Sequence, residues 1–287
     1  MGENVRVANV RIAIGLAYDG SGFDGWQTQS SGRGVQDHVR SALAIIAGNV
    51  VHVVGAGRTD TGVHATGQVA HFDTEASRPL HAWVRGTNSH LPPGVAVRWS
   101  VVVPPEFHAR YSARARTYCY VLYANPIRPV LHRTQVGWFH LPLDIEAMRR
   151  SIHALIGHHD FSSFRAAECQ AKTPMRTIHA ITIEARGAFI LFTLRADAFL
   201  HHMVRNIIGA LVYVGKGAHR PEWIGELLAM QDRRHAPPTF PAAGLYLTDI
   251  EYDPIFGLPA SSNESPWFDP LPTDNENTHQ DLRHHDA

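Results

Sequence analysis

The sequence predicts an α+β fold built as two tandem ferredoxin-like halves, with mixed, mostly antiparallel sheets and a cleft between the halves. Three observations predict it. The first hundred residues follow the order strand, helix, strand, strand, helix, strand, and the second half repeats that rhythm. The predicted strands are short and bounded by Gly and Pro, whereas the helical stretches show apolar spacing of three and four residues. A cleft between two such halves is the natural place for a site.

In the first half, apolar runs and turn residues define each element. The helix that begins near Val35 has apolar residues at helical spacing and a stop at Gly48. Residues 50–54 form an apolar run next to glycine, which predicts a buried strand. The predicted strands are residues 11–18, 50–54, 69–72 and 95–103, and the predicted helices are residues 35–47 and 82–90.

In the second half, Asp144 is a suitable N-cap for a helix with apolar residues up to Leu155. Arg186-Gly187 predicts a tight turn between two strands. The predicted strands are residues 116–123, 178–184, 189–195 and 245–251, and the predicted helices are residues 145–155, 198–214 and 221–230. We therefore predict an N-terminal half at residues 1–105, a C-terminal half at 106–258 and an acidic, disordered tail at 259–287.

Composition predicts a globular protein of the reducing cytoplasm. Of the 287 residues, 44% are hydrophobic, enough for a sizeable core. No apolar run reaches the length of a membrane span, and the N-terminal residues lack the apolar stretch of a signal peptide. The two cysteines, Cys119 and Cys169, are too few for a disulfide framework.

The charge of the chain is unevenly distributed. The formal net charge is +0, but residues 259–287 contain six acidic residues and one arginine, which leaves a net charge of +5 on residues 1–258. The basic residues other than Lys172 and Lys216 are arginines, which suit phosphate contacts and stacking on bases. Genomic composition bias explains the arginine content at least as well, so this is weak support for an RNA partner.

The whole chain is organised around residues 53–72, in which a glycine-dense loop lies between two strands. The loop contains Arg58 and Asp60, two residues apart, and ends at His64. Glycines allow positive φ and close approach of a ligand to the backbone. A surface turn with an incidental ion pair explains the same residues about as well.

Residues 57–64, Gly-Arg-Thr-Asp-Thr-Gly-Val-His, resemble the signature of the tRNA pseudouridine synthase A family. Eight further stretches resemble that family in the family's order, so that the resemblance covers roughly residues 9–252. These stretches are residues 17–20, 25–27, 31–36, 107–110, 116–118, 160–164, 201–206 and 244–247. Chance agreement in so many ordered motifs is implausible.

The resemblance implies an isomerase that converts uridine to pseudouridine at positions 38, 39 and 40 of the tRNA anticodon stem-loop. It implies a homodimer that acts on tRNA by base flipping, without a cofactor, a metal or a membrane. The family's roles fall on Asp60 as the catalytic carboxylate, Arg58 as a contact of the flipped nucleotide, Tyr118 stacked on the uracil, Arg205 as the partner of Asp60, and Leu245 on the other side of the base.

The residues themselves support these roles unequally. Arg205 lies in an otherwise apolar helical stretch, and a buried arginine needs a partner, for which Asp60 is suitable. Tyr118 by itself suits a core position better than a site. Arg58 by itself is also compatible with a local salt bridge.

Three other functions were weighed. Adjacent histidines such as His201-His202 point apart on a helix, and no cysteine or carboxylate completes a zinc spacing, so we expect no metal site. Asp60-Thr61-Gly62 matches the aspartic-protease triplet, but that chemistry needs a second carboxylate, and the chain has no second triplet. A non-catalytic RNA-binding module would keep the basic cleft and would not need Arg58, Asp60, Tyr118 and Arg205 together.

Overall fold

The computed structural model describes residues 9–260 and Trp267. Within these residues the chain forms an α+β fold. Its strands are β1 (Val10–Tyr18), β2 (Val54–Gly55), β3 (His64–Thr74), β4 (Val95–Val103), β5 (Ala115–Ala124), β6 (Gly137–Phe139), β7 (Gly157–Asp160), β8 (Met175–Arg186), β9 (Phe189–Ala196) and β10 (Leu245–Glu251). Its α-helices are α1 (Val35–Ala47), α2 (Leu80–Asn88), α3 (Ile145–Ser151), α4 (Met203–Gly215) and α5 (Trp223–Met230).

The strands of both halves form one sheet in the order β4-β1-β3-β10-β5-β9-β8-β7, with β2 beside β3 and β6 beside β5. Most neighbours are antiparallel, whereas β10 pairs with β3, and β6 with β5, in parallel. The mixed, mostly antiparallel α+β class is therefore confirmed. The last strand of the described residues joins the halves, because β10 lies between β3 of the first half and β5 of the second.

The junction between β3 and β10 depends on Gly67. A Cβ atom at this position would lie 2.0 Å from the carbonyl oxygen of Thr248, far inside van der Waals contact. A glycine therefore allows the two strands to approach each other where the halves meet.

The sheet has a main core on one face and a smaller cluster on the other. Along β5, Tyr118 and Tyr120 belong to the main core, whereas Cys119 and Val121 belong to the smaller cluster. This alternation follows from the two-residue period of a strand. All five α-helices contribute buried residues to the main core, so the helices cover that face. No helix of residues 9–260 is long and apolar enough to cross a membrane.

Most predicted elements match the structure, including β4 and β10 at both ends. Gly48 ends α1 in the left-handed conformation, with φ of 76°. Asp144 caps α3 by accepting a hydrogen bond from the Ala147 amide at 2.9 Å. These positions have strong local signals, since the capping residue and the apolar spacing agree.

At three places the structure differs clearly from the prediction, and the short strand β6 was missed as well. The strand predicted at residues 50–54 is reduced to Val54–Gly55, and Val50 is 82% exposed. The helix predicted from residue 198 begins at Met203, because residues 198–202 form an irregular segment and a turn. The edge strand β7 was missed, since its Gly-His-His-Asp sequence has no apolar pattern and its pairing with β8 defines it.

The division at residues 105 and 258 stays a prediction. The tail predicted to be disordered lies outside the described residues, apart from positions 259, 260 and 267. Trp267 packs against Phe189, with ring centroids 5.0 Å apart, on the face that carries the smaller cluster.

A buried histidine in β3 makes the stability of the fold depend on pH. Burial lowers the pKa of His71 to about 4, and the charge of Arg11 acts in the same direction. Its Nδ1 accepts a hydrogen bond from the Ala109 amide at 3.1 Å, which only the neutral ring can do. Between pH 6.5 and 4 the unfolded chain binds the extra proton, so stability falls as the pH is lowered through that window, by at most about 3 kcal/mol.

Urea unfolding at pH values between 7 and 5 measures this loss. His71→Asn keeps an acceptor for Ala109 and does not titrate, so its stability should vary less with pH than that of the wild type. His52→Asn, at an exposed position, is the matched control and should retain the wild-type slope. Equal slopes for His71→Asn and the wild type would contradict the role of His71.

Candidate active site

The loop that carries Asp60 connects β2 to β3 and is fixed to the segment that follows β1. The amide of Trp26 donates to the carbonyl oxygen of Thr59 at 3.0 Å. Gly25 has φ of 85°, and a Cβ atom there would lie 2.6 Å from the same oxygen. A glycine is therefore required at this close approach, which sets the backbone one residue before Asp60.

A buried glutamine fixes the same loop from the sheet. Gln68 lies in β3 with 0% exposure, and its Nε2 donates to the carbonyl oxygen of Gly57 at 2.8 Å. Next to it, the hydroxyls of Thr59 and Tyr18 are hydrogen-bonded at 2.9 Å. The sequence analysis did not identify Gln68, because β3 contains other polar residues, such as His64, Thr66 and His71, and Gln68 gives no distinct signal among them.

The carboxylate of Asp60 faces the N-terminal part of α4. Nη1 of Arg205 donates a hydrogen bond to Oδ2 of Asp60 at 3.1 Å. Nε of the same guanidinium donates to the carbonyl oxygen of Phe240 at 2.7 Å, which holds the arginine in place. The side chain of Asp60 is 23% exposed and that of Arg205 is 15% exposed. A charge-assisted hydrogen bond this well shielded orients the carboxylate.

Two adjacent histidines also approach Asp60, which sequence reasoning did not predict. Nε2 of His201 lies 3.2 Å from Oδ1, and Nε2 of His202 lies 3.3 Å from Oδ2. The expectation that these side chains point apart was wrong, because they precede α4 and His202 has a left-handed φ of 61°. Burial lowers the pKa of His202, and Arg205 adds to this effect while Asp60 opposes it.

Tyr118 lies in β5 and contributes to the wall of the cleft beside Asp60. It is 9% exposed and packs edge-to-face on Phe199, with ring centroids 5.1 Å apart. Burial raises the pKa of its phenol far above the ordinary value, and the charges of Tyr18 and Asp60 add to the effect. The phenol is therefore neutral at physiological pH and can donate a hydrogen bond.

Arg58 is exposed at the edge of the cleft. Its Nη1 lies 3.4 Å from Oε1 of Gln170, on a segment of the second half. Within residues 9–260 and Trp267, no ion pair joins Arg58 to Asp60. The two residues lie in the same cleft and make different contacts.

Leu245 begins β10 opposite Tyr120 and is 5% exposed. Among the described residues, it does not belong to those that line the cleft. Leu247, paired with Tyr118 across the sheet, lies closer to the Asp60 loop: its Cδ2 would be 3.9 Å from a Cβ atom on Gly57. The structure therefore brings Asp60, Tyr118, Arg205 and Arg58 to one cleft, whereas Leu245 is buried and outside its lining in the described residues.

The cleft has a volume of about 1050 Å³ and is walled by both halves of the chain. Its charged lining is mainly basic. Asp60, His201 and His202 belong to this lining. Its other charged residues are Asp24, Arg58, Arg110, Arg116, Glu168, Arg176 and Arg205. Arginines in excess over carboxylates make the cleft attractive to a phosphate backbone.

The family model for tRNA pseudouridine synthase matches residues 16–112 and 152–253, which include the Asp60 loop, Tyr118's neighbouring strands and α4. The chain belongs to this family. The enzyme is thus an isomerase of the pseudouridine synthase type, and tRNA is the substrate class that the family supports.

Curated relatives match nearly the whole described chain. The tRNA pseudouridine synthase A of Thiobacillus denitrificans is 56% identical over 258 residues, which are 90% of this chain and 99% of the relative. The protein of that name from Methylobacillus flagellatus is 53% identical over 89% of this chain and 98% of its own. The one from Bordetella petrii is 54% identical over 86% and 93%, respectively.

Proposed function

We propose that this enzyme converts uridine to pseudouridine at positions 38, 39 and 40 of the tRNA anticodon stem-loop. Asp60 is the essential carboxylate, and the target base is flipped out of its stack before it reacts. The observation that carries this proposal is the carboxylate of Asp60, held by Arg205 beside Tyr118 in a basic cleft. The choice of the three positions rests on the resemblance of the motifs to the family.

The reaction is an isomerisation, so its atoms balance within the substrate. The C1′–N1 bond breaks, the uracil turns, a C1′–C5 bond forms, the proton on C5 leaves and N1 gains a proton. A carboxylate suits this chemistry because it stabilises or attacks an electron-poor C1′, as in glycosidases, or accepts the C5 proton. Asp60 supplies that group, and Arg205 orients it through the hydrogen bond to Oδ2.

The depth of the carboxylate in the cleft supports the proposal of base flipping. Asp60 lies at a partly shielded position in the cleft, and a stacked base in a stem cannot reach such a group. Tyr118 and Phe199 provide aromatic surface next to it in the lining of the cleft. We propose that the flipped uracil occupies this place, with the Tyr118 ring against its face. Leu245 is the residue that the family resemblance places on the other side of the base.

Homodimerisation, with one tRNA contacting both subunits, and a cytoplasmic location complete the proposal. Both come from the family resemblance and the cysteine content of the sequence. Light scattering of the purified full chain, alone and with tRNA, tests the proposed homodimer.

The test of the proposed function is tritium release from C5 of uridine in an unmodified tRNA. The wild type should release tritium from a tRNA with uridines at 38, 39 and 40. A matched tRNA with cytidines at those positions should release no tritium, because the enzyme does not act on the uridines at other positions and their C5 tritium is retained. Equal release from both tRNAs would contradict the proposed positions, and release from neither would contradict the proposed reaction.

We expect Arg58→Met to weaken tRNA binding and to reduce its dependence on salt. Arg58 is exposed in the cleft and has a long contact to Gln170, so its charge is available to a phosphate. Losing one phosphate contact should lower the slope of log affinity against log salt by about 1. Fluorescence anisotropy of labelled tRNA, between about 50 and 200 mM salt, measures the slope.

Arg133→Met serves as the matched control, because Arg133 is exposed on a loop and does not line the cleft in the described structure. It should keep the wild-type slope. If Arg58→Met also kept the wild-type slope and lost only turnover, Arg58 would act on the reacting nucleotide and not on the backbone.

A further inference from the structure

Two ring nitrogens and one carboxylate oxygen lie close together at the proposed catalytic residue, Asp60. A carboxylate oxygen of Asp60 and one ring nitrogen each of His201 and His202 lie within 4.8 Å of one another. The two nitrogens are 3.2 and 3.3 Å from the oxygens that they face. The imidazole rings lie side by side, with centroids 3.9 Å apart.

The backbone at His202 makes this convergence possible. His202 and Gln231 are the two non-glycine residues of the described chain with positive φ. No local hydrogen bond stabilises this conformation, since the side chain of His202 makes no capping hydrogen bond to α4. A strained backbone is retained where the surroundings require it, and such positions cluster at functional sites. The result here is two adjacent imidazoles directed at one carboxylate.

The spacing of these donors suits a small transition-metal ion. Zinc binds imidazole nitrogen at about 2.0–2.1 Å and carboxylate oxygen at similar lengths. Donors at two corners of a tetrahedron with such bonds are about 3.3 Å apart, by the geometry of the tetrahedron. The distances from His201 to Oδ1, 3.2 Å, and from His202 to Oδ2, 3.3 Å, are each close to this edge; because they end on different oxygens, a small rotation of the carboxylate is needed to present one oxygen to the ion.

We propose that Asp60, His201 and His202 form a binding site for a divalent transition-metal ion of the zinc class, and that the bound ion inhibits the enzyme. The inhibitory part rests on the proposed function, because it requires Asp60 to be the reacting carboxylate. An ion there occupies the carboxylate that the nucleotide needs, so metal and target uridine compete.

The surroundings set which ions bind. Magnesium and calcium require several oxygen ligands, whereas this site offers one carboxylate and two imidazoles. Imidazole favours zinc, cobalt, nickel and copper. Arg205 shares the carboxylate at 3.1 Å, and its charge opposes any cation. The site is therefore expected to bind reversibly and to be emptied by tRNA.

The first measurement uses Co²⁺ as the probe, because its visible absorption reports coordination. The full chain is titrated with Co²⁺, and bound metal is counted by equilibrium dialysis. The chain has 20 histidines, so binding elsewhere must be subtracted. The double variant His201→Asn/His202→Gly removes both imidazoles, and glycine suits the positive φ at 202.

A matched control is available on another strand. His158 and His159 are also adjacent histidines, and they lie in β7 outside the cleft lining of the described residues. The variant His158→Asn/His159→Asn should bind as many Co²⁺ ions as the wild type. The His201/His202 variant should bind one Co²⁺ ion fewer than the wild type. Its affinity at this site should fall by at least about 100-fold, because two ligands are lost and not merely a residue that orients a ligand.

The second measurement separates the inference from the proposed function. Zinc inhibition is measured for each variant relative to its own metal-free rate, and tRNA is tested for displacement of Co²⁺. Equal Co²⁺ binding by the wild type and the His201/His202 variant would overturn the inference, even in an active enzyme. Site-specific binding in a chain that forms no pseudouridine would overturn the proposed function and leave the metal site standing.

Discussion

Asp60→Asn is expected to reduce pseudouridine formation by at least about 10³-fold, the scale on which enzymes lose activity with an essential carboxylate. The substitution keeps the shape of the side chain and removes its charge. Arg205 would then donate to a neutral amide, and the carboxylate needed at C1′ or C5 would be absent. Tritium release from C5 of uridine in unmodified tRNA measures the rate.

Asp73→Asn is the matched control for this substitution. Asp73 also pairs with an arginine, Arg11, at 2.7 Å, but it lies outside the cleft lining of the described residues. Its variant should keep nearly the wild-type rate. Asp60→Asn should retain tRNA affinity, since the basic lining is intact. Normal turnover by Asp60→Asn would show that another group performs the chemistry.

Arg205→Met is expected to reduce turnover by about 10²-fold while changing tRNA affinity much less, comparable with the loss of one buried donor to a reacting group. Arg205 is 15% exposed and uses two nitrogens, one on Asp60 and one on the Phe240 carbonyl. Its loss removes the guanidinium from Oδ2 and leaves the carboxylate oriented by His201 and His202 alone. Single-turnover rates and tRNA dissociation constants, measured on the same preparations, separate the two effects.

Arg205→Lys should recover only part of the lost rate, because an ammonium cannot make both contacts in the planar geometry of a guanidinium. Arg195→Met is the control, since Arg195 pairs with Glu251 at the surface of the sheet, away from the cleft lining of residues 9–260. A loss of affinity without a loss of turnover in Arg205→Met would identify a phosphate contact.

Elements with strong local signals were predicted well from the sequence. Helix α1 has its apolar spacing and its stop at Gly48, and β4 is bounded by proline. Propensity, capping and apolar period agree in these segments, so tertiary contacts had little to change. Strand β7 shows the opposite case, because its residues become a strand through pairing with β8.

The residues of the site also fall into two groups, those identified from the sequence and those found only in the structure. Asp60, Arg58, Tyr118 and Arg205 were identified from ordered motifs, and the need of a buried arginine for a partner predicted the contact between Arg205 and Asp60. Their catalytic roles stay predictions. Gln68 and the two histidines on Asp60 were missed, since their contacts join atoms far apart in sequence or depend on one unusual φ angle.

The sequence by itself determined the α+β class, the order of the elements and the family, because these depend on local patterns and on motifs that can be compared directly. Only the tertiary structure decided that β10 joins the halves into one sheet and that His201 and His202 both reach Asp60. Each of these depends on the close packing of distant segments, and hydrophobic periodicity carries no information about which distant segments meet.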